Sequence, residues 1–173
     1  IIVSGNVQAN HYVVQGVISC HFISGFMFVL PLLDQDSTLT ITEPYESKSY
    51  VNLTIQMLAK FGIEIIETSS NSYLIKGNQH YKAQDVSVEG DFSQLAFFAV
   101  LGTLNNTLSC SNMDMSSKQG DKAILDCIPS FTSDKDTITF QKKQPAPQTI
   151  DLSNFTDLGP ILCLLSSFKN GET

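Results

Sequence analysis

Apolar and polar positions along this chain alternate between two periods, and the alternation recurs. Val13-Val14-Gln15-Gly16 predicts a short strand and a turn. A helix follows from about Ser19 to Leu33, with Ser19 as its N-cap and Pro31 marking its end. That helix is apolar nearly all round, the pattern of a helix enclosed within a domain. Residues 37–42, Ser-Thr-Leu-Thr-Ile-Thr, have period two and predict a strand with Leu39 and Ile41 inward. Val51, Ile55 and Leu58 at helical spacing predict a helix from about Tyr50 to Phe61, stopped by Gly62. Residues 63–66 and 73–76, joined through Ser69-Ser70-Asn71-Ser72, predict a hairpin. The order is βαβαββ.

The same order begins again at Val86-Ser87-Val88, read as a strand, followed by a helix from about Phe92 to Leu101. Residues 107–110 predict the next strand. Gln119-Gly120-Asp121 opens a helix whose Ala123, Ile124, Cys127, Ile128 and Phe131 share one face, and residues 136–140 predict another strand. Ser19 and Ser93 are expected at equivalent helix starts. A third copy is expected from residues 149–152, with a helix from about Asp157 to Leu165; Asp91 matches Asp157, and Thr107 matches Thr173. A period of about seventy residues is too long for a solenoid repeat and indicates duplicated α/β units. The expected domains are residues 1–85 and residues 86–173.

Composition narrows the chemistry. The chain has 173 residues, 42% of them hydrophobic, which is enough apolar material for packed cores. A net charge of −7 argues against nucleic acid, whose binding usually demands a basic face. Every one of the ten basic residues is a lysine. Arginine is the residue best suited to bidentate capture of phosphate or carboxylate, so clamps of that kind are absent from this sequence. Residues 12–33 carry no Asp, Glu, Lys or Arg, yet Gln15, Gly16, His21 and Pro31 interrupt them, so a buried strand and helix are expected and not a membrane span. Cys20, Cys110, Cys127 and Cys163 are scattered among apolar neighbours and read as reduced, buried thiols of a cytoplasmic protein. They form no metal-ligand spacing with His11, His21 or His80, so no metal is expected.

Five short motifs, in order and on this repeat, resemble the EPSP synthase branch of the enolpyruvyl transferases. Residues 16–24, Gly-Val-Ile-Ser-Cys-His-Phe-Ile-Ser, resemble that family's G-x-x-S-S-Q-F-x-S helix start. Ser47-Lys48-Ser49-Tyr50, then Thr54 and Phe61-Gly62, resemble its S-K-P-Y…T…F-G segment. Val88-Glu89-Gly90-Asp91-Phe92-Ser93 resembles V-E-G-D-x-S, and Ser117-Lys118-Gln119-Gly120-Asp121 resembles S-x-Q-G-D. Asp157-Leu158-Gly159-Pro160-Ile161 resembles P-D-L-x-P-I. The resemblance implies the enolpyruvyl transferase fold, with two βαβαββ units and the start of a third. It assigns residues 1–85 to one lobe and the rest to the other, with the crossing near Lys82–Val88 and Ser19 and Ser47 facing Asp157 across a cleft.

The resemblance also implies a reaction. The 5-hydroxyl of shikimate 3-phosphate attacks phosphoenolpyruvate, and phosphate leaves without help from a metal or organic cofactor. By position, Ser19 and Cys20 stand where paired serines bind the 3-phosphate, His21 where a Gln reaches both substrates, and Ser47 with Tyr50 at further substrate contacts. Asp157 stands at the proton acceptor. Read from the residues alone, Ser19 and Asp157 are helix caps and Ser47 a turn residue. The sequence departs from the pattern at Cys20, His21 and Ser49, and at Phe155-Thr156, which stand in place of Cys-Pro. The family's flanking lysines and arginine-bearing loops have no counterpart here, so this stretch is expected not to catalyse alone. A non-catalytic relative and a different enolpyruvyl transferase are the alternatives.

Overall fold

The computed structural model describes Ile2 and residues 4–169. The chain divides into two compact units, Ile1–Val86 and Ser87–Thr173.

The first unit runs β1 (His11–Gln15), α1 (Cys20–Val29), β2 (Ser37–Thr42), α2 (Lys48–Lys60), β3 (Ile65–Ser69) and β4 (Ser72–Ile75). Its sheet has the order β1-β2-β4-β3, with β1 and β2 parallel and the remaining pairs antiparallel. Period-two patterning places Leu39 opposite Tyr73, both fully buried, and carries Ile41 and Ile75 to the same side. Ile23, Met27 and Leu30 on the α1 side and Val51 and Leu58 on α2 complete this core. At the end of α2, Gly62 takes a φ of +81°, a conformation glycine reaches without a Cβ penalty.

Two details differ from expectation. The helix that starts at Cys20 ends at Val29, and Leu30–Leu32 continue as a 3-10 turn, because Pro31 donates no backbone hydrogen bond. Nor is α1 enclosed on all sides: Phe22, Phe28 and Val29 are exposed, and only Ile23 and Met27 within it are buried.

The second unit contains α3 (Phe92–Leu104), β5 (Leu108–Cys110), a 3-10 turn at Gly120–Ala123 running into α4 (Ile124–Cys127), β6 (Phe131–Asp134) and β7 (Thr137–Phe140). A second 3-10 turn, Thr156–Leu158, leads into α5 (Gly159–Ser166). The sheet order β5-β7-β6 repeats β2-β4-β3 of the first unit, and α3 stands for α1. Phe92, Ala96, Ile124, Ile138, Phe140, Leu158 and Leu165 form its core.

The repeat is therefore present, but less regular than the pattern predicts. Residues 86–88 and 149–152 are not strands. Val88 instead passes the end of β5, where Asn112 Nδ2 donates to its carbonyl and the neighbouring Gly90 N–H donates to Asn112 O. The helix expected to reach Phe131 stops at Cys127, since Pro129 disfavours helical backbone in the residue before it, and Phe131 opens β6. The equivalent caps are Ser19 and Asp91, with Ser93 the second residue of α3. The third copy is represented by α5, and Thr173 lies outside the described residues. Of the cysteines only Cys127 is buried; Cys163 is exposed and Cys20 and Cys110 lie between, and none of the four is in a disulfide.

Candidate functional site

In the first unit, parallel pairing of β1 and β2 brings the starts of α1 and α2 to one edge of the sheet. Gln15 pairs with Thr42 at that edge, and each strand is followed by a turn and then a helix. The C-terminal ends of parallel strands are where α/β sheets offer helix N-termini, with unpaired N–H groups, to an anion.

Ser19 caps α1: its Oγ accepts the His21 backbone N–H at 3.3 Å. The same Oγ lies 2.7 Å from His21 Nδ1, and Cys20 Sγ lies 4.0 Å from that nitrogen. When the Ser19 hydroxyl donates to Nδ1, the imidazole proton sits on Nε2 and points its donor away from the cap. Ser19 and His21 are exposed and Cys20 is half-buried, so the sequence-identified trio forms one accessible cluster. Its members are a hydroxyl, a thiol and an imidazole, without a fixed charge.

Ser47 takes the left-handed conformation, with φ of 57°, directly before α2, and its carbonyl accepts the Tyr50 N–H at 3.1 Å. Unlike Ser19 it makes no side-chain cap bond, which leaves its hydroxyl clear of the helix end. Lys48, the cation nearest this helix start in sequence, is engaged elsewhere: its Nζ donates to Glu67 Oε1 at 2.8 Å and to the Ser70 carbonyl. The pair with Glu67 raises its pKa above the ordinary lysine value. Tyr45 braces the turn from the other side, with its hydroxyl 3.3 Å from that of the fully buried Tyr73. Burial pushes the Tyr45 phenol well up, and the bond to Tyr73 adds to the shift. The two helices are also joined by Ser24 and Thr54, whose hydroxyls lie 2.9 Å apart.

The second unit places Asp157 in the 3-10 turn before α5, exposed and without a side-chain cap bond to that helix. Its local role differs from that of Asp91, which caps α3 by accepting Ser93 N–H at 2.8 Å and Ser93 Oγ at 2.7 Å. The V-E-G-D and S-x-Q-G-D segments are tied to each other. Glu89 Oε1 accepts from Ser117 Oγ at 2.8 Å and from Gln119 Nε2 at 3.0 Å, and Gln119 Oε1 accepts the Phe92 N–H at 2.9 Å. These motif residues thus hold the start of α3, a structural duty that motif spacing alone did not reveal.

The family model of EPSP synthase (3-phosphoshikimate 1-carboxyvinyltransferase) matches residues 1–173. The chain belongs to the EPSP synthase family. It is 42% identical over 175 residues to the 3-phosphoshikimate 1-carboxyvinyltransferase of Clostridium novyi (strain NT), covering 99% of this chain and 40% of that one. The enzyme of the same name from Clostridium acetobutylicum is 43% identical over 173 residues, again across 99% of this chain and 40% of its own length. The chain therefore spans about 40% of the curated relatives it matches. Among solved structures, an EPSP synthase from Acinetobacter baumannii aligns with a TM-score of 0.70 at 16% identity, over 95% of this chain and 39% of that one. The enolpyruvyl transferase NikO from Streptomyces tendae aligns with a TM-score of 0.68 at 17% identity, over 94% and 42%. The repeated α/β units are thus those of the enolpyruvyl transferase fold.

Among the described residues, no three His, Cys, Asp or Glu side chains are grouped as a metal ion would need. No helix among them is long and apolar enough to cross a membrane.

Proposed function

We propose that this chain contributes to an enzyme that transfers the enolpyruvyl group of phosphoenolpyruvate to the 5-hydroxyl of shikimate 3-phosphate. The observation that carries this reading is the match of the family model to residues 1–173, which includes both helix starts at the β1–β2 edge. Residues 1–85 belong to one lobe of that enzyme and residues 86–173 to the other.

The 3-phosphate is bound at the first unit. Ser19 and the free N–H groups of α1 supply neutral donors, with Ser47 and Tyr50 contributing from the start of α2. Cys20 takes the place of a serine, exchanging a strong donor for a weak one. His21 directs Nε2–H toward the substrates, in place of an amide. Asp157 accepts the proton of the 5-hydroxyl as its oxygen bonds to C2 of phosphoenolpyruvate and C3 gains a proton. Loss of a proton from C3, together with departure of inorganic phosphate from C2 of the tetrahedral adduct, then restores the carbon–carbon double bond. Four cysteines outside any disulfide fit a cytoplasmic setting.

The reading is tested in the full natural reading frame, by phosphate release with both substrates and by thermal shift with each ligand. Shikimate 3-phosphate should raise the melting temperature and UDP-N-acetylglucosamine should not. Ser19→Ala should weaken shikimate 3-phosphate binding roughly tenfold or more, as loss of a bond to a charged group does. Asp157→Asn should retain binding while turnover falls by about 10²–10⁴. Stabilisation by the nucleotide sugar alone would make the protein a different transferase, and binding without turnover in the wild type would make it a non-catalytic relative.

A further inference from the structure

The turn between β1 and α1 touches the turn between β2 and α2 through a residue with no side chain. Gly16 is buried, and its N–H donates to Thr42 O at 3.1 Å. A Cβ at this position would lie 2.4 Å from Thr42 O, 2.4 Å from Pro44 O and 2.8 Å from Tyr45 Cα. All three are backbone atoms, so no side-chain rotation relieves the collision.

We propose that Gly16 is a positioning residue, whose missing side chain sets the separation of the α1 and α2 starts so that one phosphate meets both Ser19 and Ser47. This rests on the reading of the site given under Proposed function. Gly16 lies three residues before Ser19, and the intervening turn is closed by Ile18 N–H donating to Gln15 O at 3.1 Å, so movement at residue 16 passes to the cap. The opposing turn resists displacement. Tyr45 is held by its N–H bond to Glu43 Oε2 at 2.9 Å and by its hydroxyl at Tyr73. A Cβ at residue 16 therefore drives the α1 start outward by about 1 Å, a misplacement that costs on the order of a hundredfold in rate where substrate is held by several groups at once.

The same sheet supplies a control. A Cβ at Gly77 would lie 2.5 Å from Gln35 O and 2.7 Å from Leu33 O, a comparable backbone collision. Gly77 follows β4, whose Ile75 pairs with Ser37 at the opposite end of β2 from Thr42. An alanine there meets backbone as it does at residue 16, but remote from the helix starts.

Gly16→Ala and Gly77→Ala are to be made in the full natural reading frame, with melting temperature, kcat and the KM of each substrate measured. Both variants should melt lower than wild type. Only Gly16→Ala should raise the KM of shikimate 3-phosphate, by about tenfold or more, with a smaller change for phosphoenolpyruvate. A Gly16→Ala enzyme with wild-type KM and merely a reduced active fraction overturns the inference, because a purely structural glycine would behave that way. Should Gly16→Ala fail to fold, Tyr73→Phe decides. Loosening Tyr45 should raise the KM of shikimate 3-phosphate at least about twofold, in line with loss of one neutral hydrogen bond, and an unchanged KM overturns the inference. A wild-type protein that neither binds nor turns over shikimate 3-phosphate refutes the site reading itself, and this inference with it.

Discussion

Asp36 shows how a single exposed carboxylate can close a loop. Its Oδ2 accepts from Lys76 Nζ at 2.6 Å and its Oδ1 from the Gly77 N–H at 3.1 Å, joining the entrance of β2 to the exit of β4. The bond from Lys76, then that from Gly77, holds its pKa below the ordinary aspartate range. A carboxyl whose folded pKa is depressed contributes stability that is complete above its unfolded value, about 3.9, and lost as pH falls through the folded one. Wild type should therefore exceed Asp36→Asn in urea midpoint at neutral pH, and the gap should close as the pH is taken below 4. A gap independent of pH would show that the carboxylate charge is not what closes the loop. Other residue-level features were readable from sequence for the same local reason. Ser19 as a cap and Gly62 as a stop are decided within one helical turn. The meeting of Gly16 with Pro44 and Tyr45 was not readable, since it joins turns that only the finished sheet brings together.

At the scale of elements, α1 separates burial from hydrophobicity. Ile23 and Met27 face the sheet with no exposure, while Phe22 is 62% exposed on the same ten-residue helix. Met27→Ala should destabilise by about 2–5 kcal/mol, the range for emptying a packed core position. Phe22→Ala should stay within about 0.5 kcal/mol, as surface substitutions do. Chemical denaturation of both variants checks the contrast, and equal losses would mean that the outer face is packed in solution. The uniform apolar composition of this helix suggested enclosure because periodicity cannot say which side has a neighbour. Strand prediction failed for a related reason. The six residues of β2 alternate and lie between two pairing partners, so pattern and structure agree. Val86-Ser87-Val88 has strand-forming residues but no ladder, whereas Phe131–Asp134, mostly polar, becomes a strand because β7 folds back on it. For the site, resemblance supplied the names and the parallel β1–β2 pair supplied the arrangement of those in the first unit.

For the molecule as a whole, the charge inventory sets what the 173-residue chain does by itself. With ten lysines and no arginine, and with Lys48 committed to Glu67, it has few preorganised cations to offer the two polyanionic substrates proposed above. Losing even one good electrostatic contact in an active site commonly costs about 10²–10³ in rate. The isolated chain should therefore release no phosphate from shikimate 3-phosphate and phosphoenolpyruvate above background, while the full reading frame should. Turnover by the isolated chain that Asp157→Ala abolishes would show those cations to be dispensable. The position of β1 has a consequence in time. It is the edge strand of its sheet, none of its five residues is fully buried, and its parallel partner is reached only through a helix. The β3–β4 hairpin closes over a few residues and forms on the microsecond scale, about 1–10 μs, whereas non-local pairings wait on larger loop closures. The hairpin is thus expected to form first, with the β1–β2 pairing, whose His11 and Thr38 lie closer in sequence than Ser37 and Ile75 of the β2–β4 pairing, closing the smaller of the two remaining loops.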